Sequence, residues 1–518
     1  MKQAKTKSAF DATRLLFILK GLVVGILTGF VVSLFRILIE GSLHLWTKLY
    51  QFIPGHPLIV FAAILLSSLL AIIIGLIVRP QPNIMGSGIP QVEGQLAGDL
   101  EMDWRQVLWR KFVTGVLGIG AGLFLGREGP SIQLGAAVGQ GMAQGLKDNG
   151  ISRRVLIASG SAAGLSAAFN APIAGTLFVL EEIYHNFSPL VWMASLAGAI
   201  GSDFVSSNFF GLVPVLHISY SRSFPLYLYW HLILLGIVLG LFGYFYQRVL
   251  LVMPQWYARF IRLPRCFHGL IPFLLVIPIG IFWPHTLGGG NATILEMGHF
   301  IPGLMILLGL FVLRFIFSMI SYGSGLPGGI FLPILSLGAL LGAIYGTIMS
   351  RLGLLPDIYI MNLMIISMAG YFAGIGKAPF TAIILITEMV GSLQHLMPLA
   401  VVSLVAYLVV DMLGGAPIYA SFLTRLNLGK KLNELSGKND RIEIPVFLES
   451  SLNERQVRDV SWPSHSLLIA IRRGDHELIP HGDTVIRSGD TLVLLTSCNE
   501  VSTVRRRVLE MSGVKPDL

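Results

Sequence analysis

Charge is scarce in this sequence. Only 13% of its 518 residues are Asp, Glu, Lys or Arg, whereas 54% are hydrophobic. A soluble domain carries about a quarter charged residues, so an ordinary water-soluble fold is excluded and a polytopic membrane protein is indicated. Cysteine is scarcer still. Cys266 and Cys498 lie in different regions and make neither a disulfide framework nor a metal site. The net charge is +9, yet no basic stripe interleaved with aromatics is present, so nucleic acid is not an expected partner. Enzyme signatures are missing too. There is no HExxH or GxSxG, and GIGKAP at 374–379 is not a Walker loop, because Tyr371 stands at its first glycine and Ala378 at its Ser/Thr. No cofactor is expected. No small-residue cleavage site comes after the first apolar segment, which is therefore read as retained.

Long uncharged runs are abundant. Residues 57–78 carry no formal charge and are long enough to cross roughly 30 Å of hydrocarbon. Similar segments recur at 21–35, 225–247 and 396–410. The run from Phe315 to Ser350 is also uncharged but is interrupted by Gly323, Gly325, Pro327, Gly328 and Gly329. It predicts broken or paired helices, an irregularity tolerated at membrane depth only under a cover of protein or around a water-filled cavity. Lys2, Lys5, Lys7 and Arg14 precede the first span, which places the N-terminus in the cytoplasm under the positive-inside rule.

Composition divides the chain into four segments: a polar arm at 1–14, a membrane part at 15–428, a charged linker at 429–441 and a small α+β domain at 442–518. In the last, Ile442–Leu448, Ser466–Ile471, Thr484–Ile486 and Thr491–Leu495 read as strands and Glu500–Met511 as a closing helix. Turns are expected at Gly474–Asp475 and Gly489–Asp490. A domain of about 80 residues is near the lower size for independent folding, so pairing with a second copy is expected.

Within the membrane part, Gly126-Arg127-Glu128-Gly129-Pro130 places an acid at the start of an apolar, small-residue helix. An ionisable group at membrane depth is a functional candidate by default. The start of a helix, with its free N–H groups and positive dipole end, attracts anions. Glu128 therefore reads either as a gate standing where an anion would sit or as a solvated carboxylate capping a helix. The chain also repeats. Asn170-Ala171-Pro172 to Glu181-Glu182 matches Lys377-Ala378-Pro379 to Glu388-Met389, and Pro130, Gly135 and Gly139 match Pro333, Gly338 and Gly342. Two halves that each contribute a glycine-flanked helix start point to a transporter with its site at the repeat interface. Glu128 aligns with Phe331 and Glu182 with Met389, so the two acids belong to the first half alone.

GSGIP at 86–90, GREGP at 126–130 and GSGLPGGIFLP at 323–333, with Tyr419 in GAPIYASF, resemble in that order the CLC family of chloride channels and proton-coupled chloride exchangers. The resemblance implies an all-α membrane fold of two inverted repeats of tilted, broken helices, and a homodimer with one ion pathway per subunit. It makes Ser87 and Tyr419 hydroxyl ligands of a central chloride, with the backbone N–H groups of Ile330 and Phe331 completing the shell and Gly86, Gly88, Arg127 and Gly129 belonging to the anion-motif backbone. Glu128 is similar to the family's gating glutamate, and Glu182, preceded by Glu181, to the internal proton acceptor of its exchanger branch. Glu93 and Lys111 fall where the family has a buried acid and base, expected here as an ion pair. Gln91 departs from a glutamate of some bacterial members. Leu326 and Leu332 replace smaller residues, which bears on pathway width. Ser87 favours chloride over nitrate or fluoride.

From Ile442 the chain resembles the RCK-C (TrkA-C) lobe of regulators of potassium conductance, which implies dimerisation and a small regulatory ligand. His476 and His481 are read as exposed turn residues. The expectation is a multi-pass protein of the cell membrane with both termini cytoplasmic, exchanging chloride for protons. A passive gated chloride channel is the alternative, since it would share Ser87, Tyr419 and Glu128 without needing Glu182.

Overall fold

A computed structural model describes residues 12–512 apart from 57, 186, 219–222, 262, 428–438, 449, 475 and 498–499. The polar arm up to residue 11 and most of the expected linker lie outside the described residues.

The first half of the membrane part comprises α1 (Ala12–Phe52), α2 (Leu58–Val78), α3 (Ile89–Ala97), α4 (Trp104–Gly120), α5 (Glu128–Gly145), α6 (Ile151–Phe169), α7 (Pro172–Phe178) and α8 (Pro189–Phe210). The second comprises α9 (Tyr229–Phe260), α10 (Leu270–Phe282), α11 (Asn291–His299), α12 (Leu304–Gly323), α13 (Phe331–Arg351), α14 (Ile360–Gly376), α15 (Pro379–Val390) and α16 (Leu396–Met412). Both halves place a nine-residue helix third, too short to cross a bilayer. Among the described residues, nine helices are long and apolar enough to span, and the chain is a multi-pass membrane protein.

Burial separates lipid-facing helices from central ones. α2 is apolar all round and only 28% buried, as expected of a helix with its back to lipid, whereas the α13 and α14 spans are 89% and 83% buried. Close backbone approach holds the centre together. A Cβ on Gly135 of α5 would lie 2.0 Å from Gly160 O of α6, so only small residues allow this crossing.

The uncharged run from 315 to 350 breaks as expected. α12 stops at Gly323 and α13 starts at Phe331. In the loop between them Gly329 exchanges both backbone hydrogen bonds with Gly126, each 2.7 Å. These are equivalent residues of the two halves, so the repeat is a spatial two-fold as well as a sequence pattern.

After α17 (Ile418–Asn427), the C-terminal domain forms an antiparallel sheet of β1 (Asn439–Pro445), β2 (Ser466–Arg473), β3 (His476–Leu478) and β4 (Asp490–Ser497), in the order β1-β4-β2-β3. It is closed by α18 (Val501–Met511), which buries Val501, Val504 and Val508. The strand expected at Thr484–Ile486 does not join the sheet; Val485 makes a single bridge to Gln456. The edge is taken instead by β3, folded back at Gly474 with φ +56°. The Arg473 guanidinium explains the displacement. It binds Val485 O and both oxygens of Asp490, at 2.7 to 2.8 Å, and so holds that segment beside the sheet. The Asp490 carboxylate in turn holds the Arg473 guanidinium above its ordinary pKa.

Candidate functional site

Three helix starts converge where the glycine motifs meet. Gly88, at φ +93°, opens α3, Glu128 is the first residue of α5, and Phe331 the first of α13. A Cβ on Gly129 would lie 2.8 Å from Ser87 Cβ, and Gly328 N donates to Gly86 O at 3.0 Å, so the three loops touch. The initial N–H groups of each helix have no intrahelical acceptor. Those of Ile330 and Phe331 are among them.

The Glu128 side chain is fully buried, and neither carboxylate oxygen has a partner of good hydrogen-bond geometry. It faces its own N–H and that of Leu332 at the start of α13. The adjacent Arg127 points away, to Glu40 of α1 at 2.6 Å. The Tyr419 hydroxyl at the start of α17 is likewise fully buried and unpartnered. Its ring meets Phe178 edge-on, and Phe178 in turn packs on Phe331. Ser87 Oγ accepts from Ile89 N at 3.3 Å, so it caps α3 while standing at the convergence. The hydroxyl of Tyr322, a residue that no motif signalled, faces the side chain and backbone of Ser87. Two buried, unpartnered polar groups at one junction of helix starts are uncommon, because buried polar atoms nearly always have a partner.

Glu182 lies within electrostatic reach of Tyr419, which also reaches Glu128. It is 4% exposed and sits in a π turn, Val179–Ile183, that extends α7; Tyr184 N closes this turn onto Val179 O at 2.7 Å. The matching α15 runs on as regular helix through Met389. A π turn adds one residue to the register and re-aims the side chains after it, and such turns are frequent at functional sites. Glu181 does something different. Its carboxylate accepts from Phe380 N, Thr381 N and Thr381 Oγ1 at the start of α15, while Glu388 accepts from Ile173 N and Ala174 N at the start of α7. Equivalent acids thus cap each other's helices across the two-fold.

The expected pair of Glu93 and Lys111 does not form. The Lys111 ammonium, fully buried in α4, donates to Ile84 O and Gly86 O at 2.9 and 2.7 Å. Glu93 on α3 faces His185, 3.8 Å from its Nε2. The carbonyls ahead of α3 point back at α4, so the lysine clamps the loop that leads into Ser87 and α3. Its equivalent in the second half is Arg314, which binds Thr286 O and Gly288 O ahead of α11. Neither cation has a carboxylate partner among the described residues. The internal repeat, extended to WRKF and VLRF, was the signal that could have linked them.

The larger Leu326 and Leu332 are accommodated by glycine. A Cβ on Gly269 would lie 2.7 Å from Leu326, and one on Gly289 3.0 Å from Leu332. His481 N is bound by Thr484 Oγ1 in an exposed turn, whereas His476 belongs to β3 and not to a turn. Gln91 donates to Met85 O at 2.9 Å. No group of three or more His, Cys, Asp or Glu side chains able to hold a metal occurs among the described residues.

Interrupted helices in two halves related by a two-fold, with their starts meeting at the repeat interface, define a secondary-transporter architecture. Residues 69–411 match the voltage gated chloride channel family, and residues 442–509 the TrkA-C domain. The H(+)/Cl(-) exchange transporter ClcA of Salmonella arizonae is 34% identical over 442 residues, 83% of this chain and 92% of that protein. A slow cyanobacterial Cl-/H+ antiporter of known structure is 31% identical with a TM-score of 0.76, covering 80% of this chain and 98% of its own. A eukaryotic CLC transporter shares the fold at 21% identity, with a TM-score of 0.67 over 80% of this chain and 74% of its own. The chain belongs to the voltage gated chloride channel family and carries a C-terminal TrkA-C domain.

Proposed function

We propose that this protein exchanges chloride for protons across the cell membrane. The observation that carries the reading is the pair of buried, unpartnered groups at the helix-start junction, the Glu128 carboxylate and the Tyr419 hydroxyl, with Tyr419 standing within reach of Glu182 as well. The similarity to the Salmonella exchange transporter and to the cyanobacterial antiporter supports the same ion pair.

In this mechanism chloride rests on the hydroxyls of Ser87 and Tyr419 and on the amides of Ile330 and Phe331. Hydroxyl and amide donors hold a monovalent anion without a contacting full charge that would retain it too strongly. Glu128 occupies the neighbouring helix start as a carboxylate and so competes with a second anion. Protonation removes its charge and frees the helix start for chloride. Glu182 exchanges that proton with the opposite side, by way of the region beside Tyr419. The two halves differ at these two positions, Phe331 and Met389 standing opposite the acids, so proton transfer is confined to one half.

The protein works as a homodimer with one pathway per subunit and with both termini in the cytoplasm. Its TrkA-C domain binds a small regulatory ligand. Reconstituted protein tests the exchange. A chloride gradient across proteoliposomes should drive protons uphill; Glu182→Gln should still pass chloride but move no protons, and Glu128→Ala should pass chloride without coupling. Chloride flux with no proton movement in the wild type would make the protein a passive channel.

A further inference from the structure

The C-terminal domain is seated on the membrane part at the end of α3 remote from Ser87. Gly98, the residue after α3, holds φ +89°, and a Cβ there would come within 2.6 Å of Val501 Cγ1 at the start of α18. A second contact lies beside it, where Arg154 Nη1 of α6 donates to Arg441 O of β1 at 2.8 Å. One helical turn beyond Val501, on the same face of α18, is Arg505. The charged and phenolic groups around it are Arg154, Tyr184, Asp99 and Glu93, all of the membrane part.

Glu93 joins this interface to the transport site. It is 8% exposed, and one of its carboxylate oxygens is buried without a hydrogen-bond partner. The groups facing it are His185 after the π turn, Arg505 on α18, Asp99 after α3 and Glu182. Glu182 is faced by Glu93 and Glu181. A cation from the C-terminal domain therefore lies within electrostatic reach of Glu93, the first of two acids, Glu93 and Glu182, that lead from the domain interface to the proton acceptor. Burial and the neighbouring Arg154 guanidinium lower the Arg505 pKa, yet an arginine remains charged at any pH the protein meets.

We propose that Arg505 is a positioning residue for proton transfer: through Glu93 it sets how readily the inner acids take up and release protons, so that seating the C-terminal domain on α3 governs coupling. The proposal rests on the exchange reading above. It assigns the domain a route to the site, along a helix whose far end carries the anion ligand Ser87. Removing a cation from beside carboxylates lets them hold protons more tightly. The pH at which proton flux falls to half should then move upward when Arg505 is neutralised, while chloride binding at the other end of α3 is untouched.

The test uses the full chain in proteoliposomes, with chloride and proton fluxes recorded separately across a pH series. Arg505→Gln should shift the proton-flux profile to higher pH and so raise the proton-to-chloride flux ratio at least threefold on the alkaline limb of the wild-type profile. Arg505→Lys should restore both. In a Glu93→Gln background, Arg505→Gln should add no further change, since its effect passes through that carboxylate. An unchanged ratio and profile in Arg505→Gln would overturn the proposal. So would parallel loss of both fluxes in the Gln and Lys variants, which marks a purely structural role. If the wild type moves no protons at all, the exchange reading fails and the proposal goes with it; exchange that persists unaltered in Arg505→Gln removes the proposal alone.

Discussion

The narrowest margins in this protein are around single atoms. A Cβ at Gly126 would fall 2.3 Å from Glu128 Oε2, while the backbone of Gly126 must stay paired with Gly329. The flexible carboxylate is the group that can yield. Gly126→Ala should therefore fold but displace the Glu128 side chain from the helix start, so that chloride flux becomes weakly dependent on pH and loses coupling, as in Glu128→Ala. Flux and coupling measured side by side in the two variants check this. Gly126 was visible in the sequence as half of a glycine pair flanking an acid. Its reason was not, because the atom it makes room for is placed only when Glu128 is buried against the start of α13. Lys111 shows the opposite case. Its burial could be expected from a membrane setting, but its partners are carbonyl oxygens of a loop and not the expected Glu93, and backbone carbonyls leave no trace in residue identities.

At the scale of elements, Glu181 and Glu182 are neighbours in sequence with separate tasks. Glu181 holds the start of α15 and Glu388 the start of α7 by charge-assisted bonds to backbone N–H groups. Bonds of that kind contribute roughly 1.5–3 kcal/mol. Both are partly solvated at the helix ends, so Glu181→Gln and Glu388→Gln should each cost about 1–2 kcal/mol. The loss should be similar for the two variants and should appear in thermal unfolding of the purified protein. Neither should abolish proton movement, in contrast to Glu182→Gln, and the same flux assay separates them. The repeat aligned these acids correctly, and α7 and α15 both begin at the proline it marked. The alignment could not reveal the π turn at Val179–Ile183, which inserts its extra residue into the hydrogen-bond ladder without any insertion in the sequence.

For the whole molecule, the domains remain separate in their cores. The C-terminal sheet and α18 bury their own apolar cluster, centred on Ile444, Ile471, Leu492, Leu494 and Val508. The buried Asp490 is held there by Arg473, which is 33% exposed, and by Arg487 N. Asp490→Asn should weaken this domain by about 1–2 kcal/mol, the ion pair being partly screened by solvent. Its melting should shift down while that of the membrane part stays in place, as read by domain-resolved hydrogen exchange. Raised salt should narrow the difference between variant and wild type.

The sequence alone determined that this chain lives in a membrane, that it is built twice over, that two acids break the repeat, and that a small α+β domain comes after it. Each of these depends on composition, spacing or residue type, which are local and survive without coordinates. Only the tertiary structure decided which groups meet. It joined Gly126 to Gly329, crossed Glu181 with Glu388, gave Lys111 and Arg314 the same carbonyl clamp in opposite halves, and seated Val501 of α18 against Gly98 at the end of α3. Those contacts link residues far apart in the chain through backbone atoms and helix ends, and their positions are fixed by how whole helices pack rather than by the side chains that mark them.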